Sequence, residues 1–202
     1  NAFKYVCKTY YTRGDIMKAT IISDKDYQTE TFQNLDKLVD TFLHDQGFET
    51  ELISIGRIDL ASCKGCFGCW VKKPGECVMN DMMAQINQKF VNSDVVFYLS
   101  PVIFGQFSAN IKNAVDRWLP NILPFFETRP DGSTMHPSRY DAFPRVLMIG
   151  YGDELSSEDR QLFTDITKKH RGNGEVLIYQ DRDQDIIDAL SNIKLGKVGG
   201  HL

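Results

Sequence analysis

Four of the five cysteines lie within one fifteen-residue segment, and this clustering is the sharpest chemical signal in the chain. The segment begins with CKGCFGCW, and the fourth cysteine follows the third after a gap of seven residues. Cysteines separated by two residues, with a fourth nearby, are typical of the ligands of a four-iron cluster, whereas zinc sites more often use two separated pairs. Four reduced thiols in a glycine-rich loop are the alternative. The candidate metal ligands are Cys63, Cys66, Cys69 and Cys77.

Three other runs carry groups suited to an anion or a flat ligand. Residues 23–31 place hydroxyls and amides before a predicted helix, where free N–H groups and the helix dipole favour an anion. Residues 100–108 combine a proline, a glycine and an aromatic ring, and residues 150–152 hold two glycines that let backbone amides face a ligand. Each run is also consistent with an ordinary turn. The candidate ligand-binding residues are Ser23, Gln28, Thr29, Thr31, Pro101, Val102, Ile103, Phe104, Gly105, Gln106, Gly150, Tyr151 and Gly152.

The spacing of apolar residues predicts five alternating strands and helices. The apolar run at 94–99 is typical of a strand covered on both faces. Such alternation implies parallel strands joined by right-handed crossovers, which gives a three-layer α/β fold. Ligands bind beyond the carboxyl ends of the strands in these sheets, where the three runs above fall. The predicted strands are 18–23, 48–55, 94–99, 145–150 and 175–179, and the predicted helices are 32–43, 81–91, 108–119, 156–170 and 184–193.

Composition limits the class of protein. A chain of 202 residues with 42% apolar and 25% charged residues predicts one globular domain, here 17–195, flanked by an N-terminal extension (1–16) and a C-terminal tail (196–202). The net charge of −4 argues against a nucleic-acid partner. The longest apolar run, 95–105, is too short to span a bilayer. With no signal-peptide pattern and no spaced disulfide framework, we expect a reduced, cytoplasmic chain in which Cys7 is an ordinary thiol.

Two separated segments resemble motifs of the NADPH-dependent FMN reductase and iron–sulfur flavoprotein superfamily. Residues 63–82 resemble the pattern C-x-G-C-x-x-C…C-x-x-[D]-D-M, and residues 100–117 resemble S-P-V-Y-W-G-x-x-S-x-x-x-K-x-x-x-D-R. Lys112, Asp116 and Arg117 match the second pattern, and a surface ion pair at helical spacing explains them equally well. The first loop differs, because it reads ISDKDYQTE where the family has G-S-P-R-x-x-G-N-T.

The resemblance implies a flavodoxin-like fold with a five-stranded parallel sheet in the order 2-1-3-4-5. It also implies FMN held with its ring against residues 101–106, NAD(P)H as co-substrate, and an NAD(P)H-dependent reductase of the flavin or quinone type. A small-molecule or protein electron acceptor and a homo-oligomer, often a dimer, belong to the same expectation. Two alternatives stay open: an electron carrier with a [4Fe-4S] cluster on the cysteine loop, and a binding protein of this fold that has lost FMN. The sequence identifies no catalytic acid or base.

Overall fold

The structure is a computed structural model that describes residues 16–171 and 174–199. Its central sheet has five long parallel strands in the order β2-β1-β3-β4-β5, and this confirms the predicted fold class and strand order. Cys7, nearly all of the predicted N-terminal extension and the end of the predicted tail lie outside the described residues. The strands are β1 (Met17–Asp24), β2 (Phe48–Ile55), β3 (Val95–Ile103), β4 (Arg145–Tyr151) and β5 (Glu175–Tyr179).

Helices cover both faces of this sheet. One hydrophobic cluster packs α1 and α6 on one face, and a second packs α3, α4 and α5 on the other. Within the described part of the chain, no helix is both long enough and apolar enough to cross a membrane. The helices are α1 (Glu30–Asp45), α2 (Gly68–Val71), α3 (Met83–Asn92), α4 (Ala109–Asp116), α5 (Ser157–Arg171) and α6 (Asp183–Ser191).

Strand β3 lies at the centre of the sheet, between β1 and β4. Its first seven residues are all buried, as the continuous apolar run predicts. Successive side chains of a strand point to opposite faces, so Phe97 packs into the cluster with α1 while Tyr98 packs into the cluster with α3. The strand therefore holds the two helical layers together.

The segment after β3 is a hairpin rather than the predicted loop at 100–108. β3 continues to Ile103 and pairs in the antiparallel direction with the short strand Gln106–Phe107. The turn residues Phe104 and Gly105 both have positive φ, 49° and 70°. Two-residue turns of this kind match the twist of the strands they join, but they are normally signalled by Asn-Gly or Asp-Gly, so a Phe-Gly turn escapes prediction.

Other boundaries shift by a few residues. Helix α3 begins at Met83 rather than at Asp81, although Asp81 Oδ1 accepts a hydrogen bond from the Met83 amide at 3.1 Å. Helix α4 ends at Asp116, and a single 3-10 turn, Leu119–Asn121, follows it. The short strand Val198–Gly199 pairs with Ala142–Phe143, which joins the beginning of the predicted tail to the domain.

Gly150 tests how tightly β4 packs against α5. A Cβ atom at this position would lie 2.8 Å from both Phe163 Cε1 and Val102 Cγ2. We therefore expect Gly150→Ala to lower the free energy of unfolding by about 1–3 kcal/mol through overpacking. Gly199→Ala is the matched control, because a Cβ there meets no heavy atom within 4 Å. Urea unfolding of the two variants measures the difference, and equal stabilities would contradict the close packing described here.

Candidate functional site

The three candidate runs meet at the carboxyl edge of the sheet. Strands β1 and β3 are neighbours there, although β2 separates them in the chain, so the strand order reverses at this point. The Tyr151 hydroxyl at the end of β4 donates a hydrogen bond to the Tyr27 carbonyl after β1, at 3.0 Å. The Thr31 hydroxyl at the start of α1 lies 2.5 Å from Asp153 Oδ1. The structure thus brings the loops that follow β1 and β4 together beside the hairpin that follows β3.

The tip of the hairpin presents an aromatic ring to solvent. Phe104 is 91% exposed, whereas Pro101 is buried and Val102 and Ile103 are half-buried. The neighbouring glycine is required for packing, because a Cβ atom at Gly105 would lie 2.8 Å from a methyl carbon of Leu162 on α5. Packing against α5 therefore holds the hairpin in place, and the Phe104 ring offers a flat apolar surface to solvent. Gln106, the last predicted residue of this run, is exposed at the start of the returning strand.

The predicted glycine loop is largely part of the sheet. Gly150 and Tyr151 pair with β5, and the Gly152 amide donates to the Tyr179 carbonyl at 3.4 Å. These amides are therefore occupied within the chain instead of facing a ligand, because strand pairing continues one residue beyond the predicted end of β4. Tyr151 is 1% exposed, and burial, followed by the charge of Asp24, raises the pKa of its hydroxyl. This phenol remains a protonated hydrogen-bond donor.

The first half of the predicted anion loop is also occupied within the chain. Ser23 is fully buried, and its hydroxyl lies 3.0 Å from the Ser54 hydroxyl on β2. The Gln28 side-chain amide donates to the Asp24 carbonyl at 2.9 Å and so closes the turn after β1. Both side chains therefore make contacts within the chain that shape the loop.

The second half of this loop is the start of α1. Thr29 caps the helix, since its hydroxyl oxygen accepts a hydrogen bond from the Phe32 amide at 3.2 Å. The Thr31 hydroxyl lies within hydrogen-bond distance of two carboxylates, 2.5 Å from Asp153 Oδ1 and 2.8 Å from Asp181 Oδ2. These are the hydroxyls that the sequence assigns to an anion, and in the structure they face the helix and two acidic groups.

A buried carboxylate lies beneath the same loop. Asp24 is 0% exposed; its Oδ1 accepts hydrogen bonds from the Asp26 amide and the Asn110 side-chain amide, both at 2.9 Å. Its Oδ2 has no hydrogen-bond partner among the described residues. Lys25 is the only cationic side chain in residues 23–31, and its ammonium group pairs with Asp59 at 2.5 Å. The loop after β1 therefore carries negative charge that its own cation does not neutralise.

The cysteine loop lies between β2 and α3. Cys63 and Cys66 are exposed, Cys69 is buried at α2, Cys77 is half-buried, and all four thiols are free. Burial raises the pKa of the Cys69 thiol, and the charges of Cys77, Cys63 and Cys66 raise it further, so the four sulfurs lie within electrostatic range. In the chain as described, however, no group of three or more His, Cys, Asp or Glu side chains is arranged to hold a metal ion. The four cysteines lie on one loop, but in the described arrangement they do not form a metal site.

The position of Arg117 could not be predicted from its motif. A surface ion pair was one explanation of its motif, and Lys112 with Asp116 does form such a pair. Arg117, in contrast, is 2% exposed and points into the cysteine loop. Its Nη1 donates to the Ala61 carbonyl at 3.0 Å and pairs with Asp81, and its Nη2 donates to Cys77 Sγ at 3.0 Å. The two motif segments are therefore joined by one guanidinium group.

The ion pair shifts the pKa of both partners. Burial disfavours the charged form of each, but hydrogen bonding outweighs it: the pKa of Asp81 falls below its usual value and that of Arg117 rises. Both groups are therefore charged at neutral pH. The co-occurrence of a D-M sequence after the cysteines and a D-R sequence in the second motif was the available signal for this contact.

Arg117→Met tests whether this contact holds the cysteine loop in place. Removing one partner of a buried pair leaves a carboxylate and a carbonyl without their donor, so we expect a loss of about 3 kcal/mol in the free energy of unfolding. Lys112→Met is the matched control on the same helix; its exposed pair predicts a loss of about 0.5 kcal/mol or less. Denaturant unfolding at pH 7 measures both, and similar losses would refute a special role for Arg117.

Comparison with known proteins defines the class. A family model described as NADPH-dependent FMN reductase matches residues 27–128, which is just over half of the chain. With the parallel sheet and the ligand edge described above, this places the chain in that family, and a flavin is the cofactor that the family supports. The match begins at Tyr27, so β1 and the first part of the anion loop lie outside it.

Curated relatives are similar over part of their length. An iron–sulfur flavoprotein of Archaeoglobus fulgidus is 35% identical over 92 residues, which cover 44% of this chain and 41% of that protein. An iron–sulfur flavoprotein of Methanosarcina thermophila is 32% identical over 88 residues, which cover 42% of this chain and 45% of that protein. The aligned parts thus span less than half of these relatives.

Solved structures share the fold at low identity. An NAD(P)H:quinone oxidoreductase from Methanothermobacter marburgensis has a TM-score of 0.59 and 10% identity, over 88% of this chain and 94% of that chain. A putative quinone reductase from Klebsiella pneumoniae has a TM-score of 0.59 and 14% identity, over 87% and 82% of the two chains. These likenesses support the flavodoxin-like fold.

Only the ring end of FMN fits this edge of the sheet. The exposed Phe104 ring suits the flat isoalloxazine, since aromatic rings stack face to face with an offset. In the loop that would receive the phosphate, Thr29 caps α1, Thr31 lies against two carboxylates, the lysine is paired and the Asp24 carboxylate is buried beneath the loop. A phosphate is favoured by positive charge, and the charged side chains around this loop are mainly carboxylates. The chemistry of the site agrees with a flavin ring and disagrees with its phosphate.

Proposed function

We propose that this chain is a flavin-dependent NAD(P)H oxidoreductase of the flavin- or quinone-reductase type, with the flavin ring lying against the Phe104–Gly105 turn. The exposed Phe104 ring, at the point where the strand order reverses, is the observation that carries the proposal. Family membership supports a flavin, and FMN is the flavin that the family description names. NAD(P)H is the proposed electron donor, and a small molecule or a protein is the proposed acceptor.

In the proposed reaction, the residues of this chain bind and orient the flavin. A flavin supplies the electron-transfer chemistry, including hydride transfer. The hairpin pairs Val102 with Phe107, so the turn that presents the Phe104 ring is held by the sheet. No G-x-G-x-x-G fingerprint for a dinucleotide is present in the sequence, so the nicotinamide would stack transiently on the open face of the flavin. A cytoplasmic location, expected from the clustered cysteines, and a homo-oligomeric assembly, implied by the family resemblance, complete the proposal.

Flavin binding is the first test. We expect the purified protein to quench the fluorescence of added flavin, and Phe104→Ala to weaken that binding about fivefold, since the lost stacking amounts to about 1 kcal/mol. Phe125→Ala is the matched control, because Phe125 is also exposed but lies outside the hairpin. The same samples are then assayed for NADH and NADPH oxidation with a quinone or free flavin as acceptor.

Two outcomes would contradict the proposal. A protein that binds no flavin in this titration would instead be a binding protein that keeps the fold without the cofactor. A protein that binds flavin equally well with and without the Phe104 ring would place the flavin elsewhere.

An iron–sulfur electron carrier is the second candidate function. It is favoured by the electrostatic proximity of the four cysteine thiols and by the iron–sulfur flavoproteins among the relatives. The described arrangement is not a ligand set, and the Cys77 thiol already accepts a hydrogen bond from Arg117. Binding a cluster would therefore require the loop to rearrange.

Metal analysis separates the two candidates. If the flavin is the only redox centre, anaerobically purified protein is expected to contain no stoichiometric iron or acid-labile sulfide. About four irons per chain would establish the cluster and overturn this expectation. Cys63→Ser is the diagnostic variant in that case. If the exposed Cys63 is a ligand, its substitution lowers the iron content, and if it is not, the iron content stays unchanged.

A further inference from the structure

The start of α1 is where an anion binds in a sheet of this class, and here that position is acidic. Glu30 lies in the first turn of α1, and Asp24 and Asp26 lie in the loop before it. Asp153 and Asp181 reach the same turn from the loops after β4 and β5, because both carboxylates contact the Thr31 hydroxyl. Five acidic side chains therefore belong to the loops around one helix N-terminus.

The single cation of the loop is directed away from this position. Lys25 pairs with Asp59 beyond the end of β2, at 2.5 Å. Its stem lies against Gly56, where an added Cβ atom would come within 2.3 Å of Lys25 Cε. The lysine therefore contacts both Gly56 and Asp59. An incoming phosphate would have to displace it from both.

The unpaired oxygen of Asp24 adds a hydrogen-bond acceptor and a negative charge beneath the loop. Asp24 is fully buried, its Oδ1 already accepts two hydrogen bonds, and its Oδ2 accepts none from the described residues. A carboxylate oxygen accepts hydrogen bonds and donates none, so it requires a donor. A hydroxyl supplies one, whereas a phosphate dianion brings only further acceptors and negative charge.

We propose that this site selects a flavin without a 5′-phosphate, and binds riboflavin in preference to FMN. The inference rests on the proposed function, since it assumes that a flavin ring lies against Phe104. The ring and the other ribityl hydroxyls are common to both flavins, and the 5′ position, a hydroxyl in riboflavin and a phosphate in FMN, distinguishes them. Repulsion from the carboxylates around α1 penalises FMN alone. The flavin is then an exchangeable substrate or weakly held cofactor rather than one anchored through its phosphate.

The test compares the two flavins by fluorescence quenching at pH 7.5 and low ionic strength. We expect riboflavin to bind at least about tenfold more tightly than FMN, and the difference to shrink with added salt as the Debye length falls. Asp26→Asn should tighten FMN binding several-fold and leave riboflavin unchanged. Asp45→Asn is the matched control, because this exposed carboxylate lies at the far end of α1, roughly 20 Å away by the helical rise.

Each outcome has a defined meaning. FMN binding as tight as or tighter than riboflavin overturns the inference and leaves the proposed function intact. Binding of neither flavin overturns the proposed function, and the inference with it. If circular dichroism shows that Asp26→Asn is unfolded, Glu30→Gln in the exposed first turn of α1 tests the same charge effect, and an unchanged FMN affinity in that variant counts against the inference.

Discussion

Strand β3 is buried on both faces, and this constraint organises the rest of the molecule. A strand covered by helices on each side has no solvent-facing side chains along its length, so polar chemistry is confined to the ends of the strands. Parallel strands end at the same edge of a sheet, so the loops that follow β1, β3 and β4 lie side by side. The exposed ring of Phe104 lies where the central strand finally leaves the core.

Much of the fold could be predicted because it rests on local apolar spacing. The runs that became β2 and β5 match their predicted bounds, and β3 was identified by its unbroken burial. The strand order followed from family resemblance rather than from the spacing. The hairpin after β3 could not be predicted, because a phenylalanine with positive φ is unfavourable in isolation. Here the turn is stabilised by the pairing of Val102 and Ile103 with Gln106–Phe107 and by the close approach of Gly105 to Leu162.

The candidate site was harder to predict than the fold, and for a physical reason. The residue type, as for the threonines Thr29 and Thr31, determines which hydrogen bonds a side chain can form. The partner it finds depends on loops that are distant in the chain. Thr31 meets carboxylates 122 and 150 positions away, a juxtaposition with no local signature. The same is true of Arg117, whose motif is compatible with a surface pair until the cysteine loop folds over it. Long-range contacts therefore decide the partners of residues whose types alone had singled them out.

Helix α4 connects the two parts of the chain that carry the motifs. It has eight residues, a length of about 12 Å, and begins at Ala109, after the hairpin that carries Phe104 and the capping residue Ser108. Arg117 follows its last residue and is hydrogen-bonded to Cys77. The cysteine loop and the turn that carries Phe104 are therefore attached to opposite ends of one eight-residue helix.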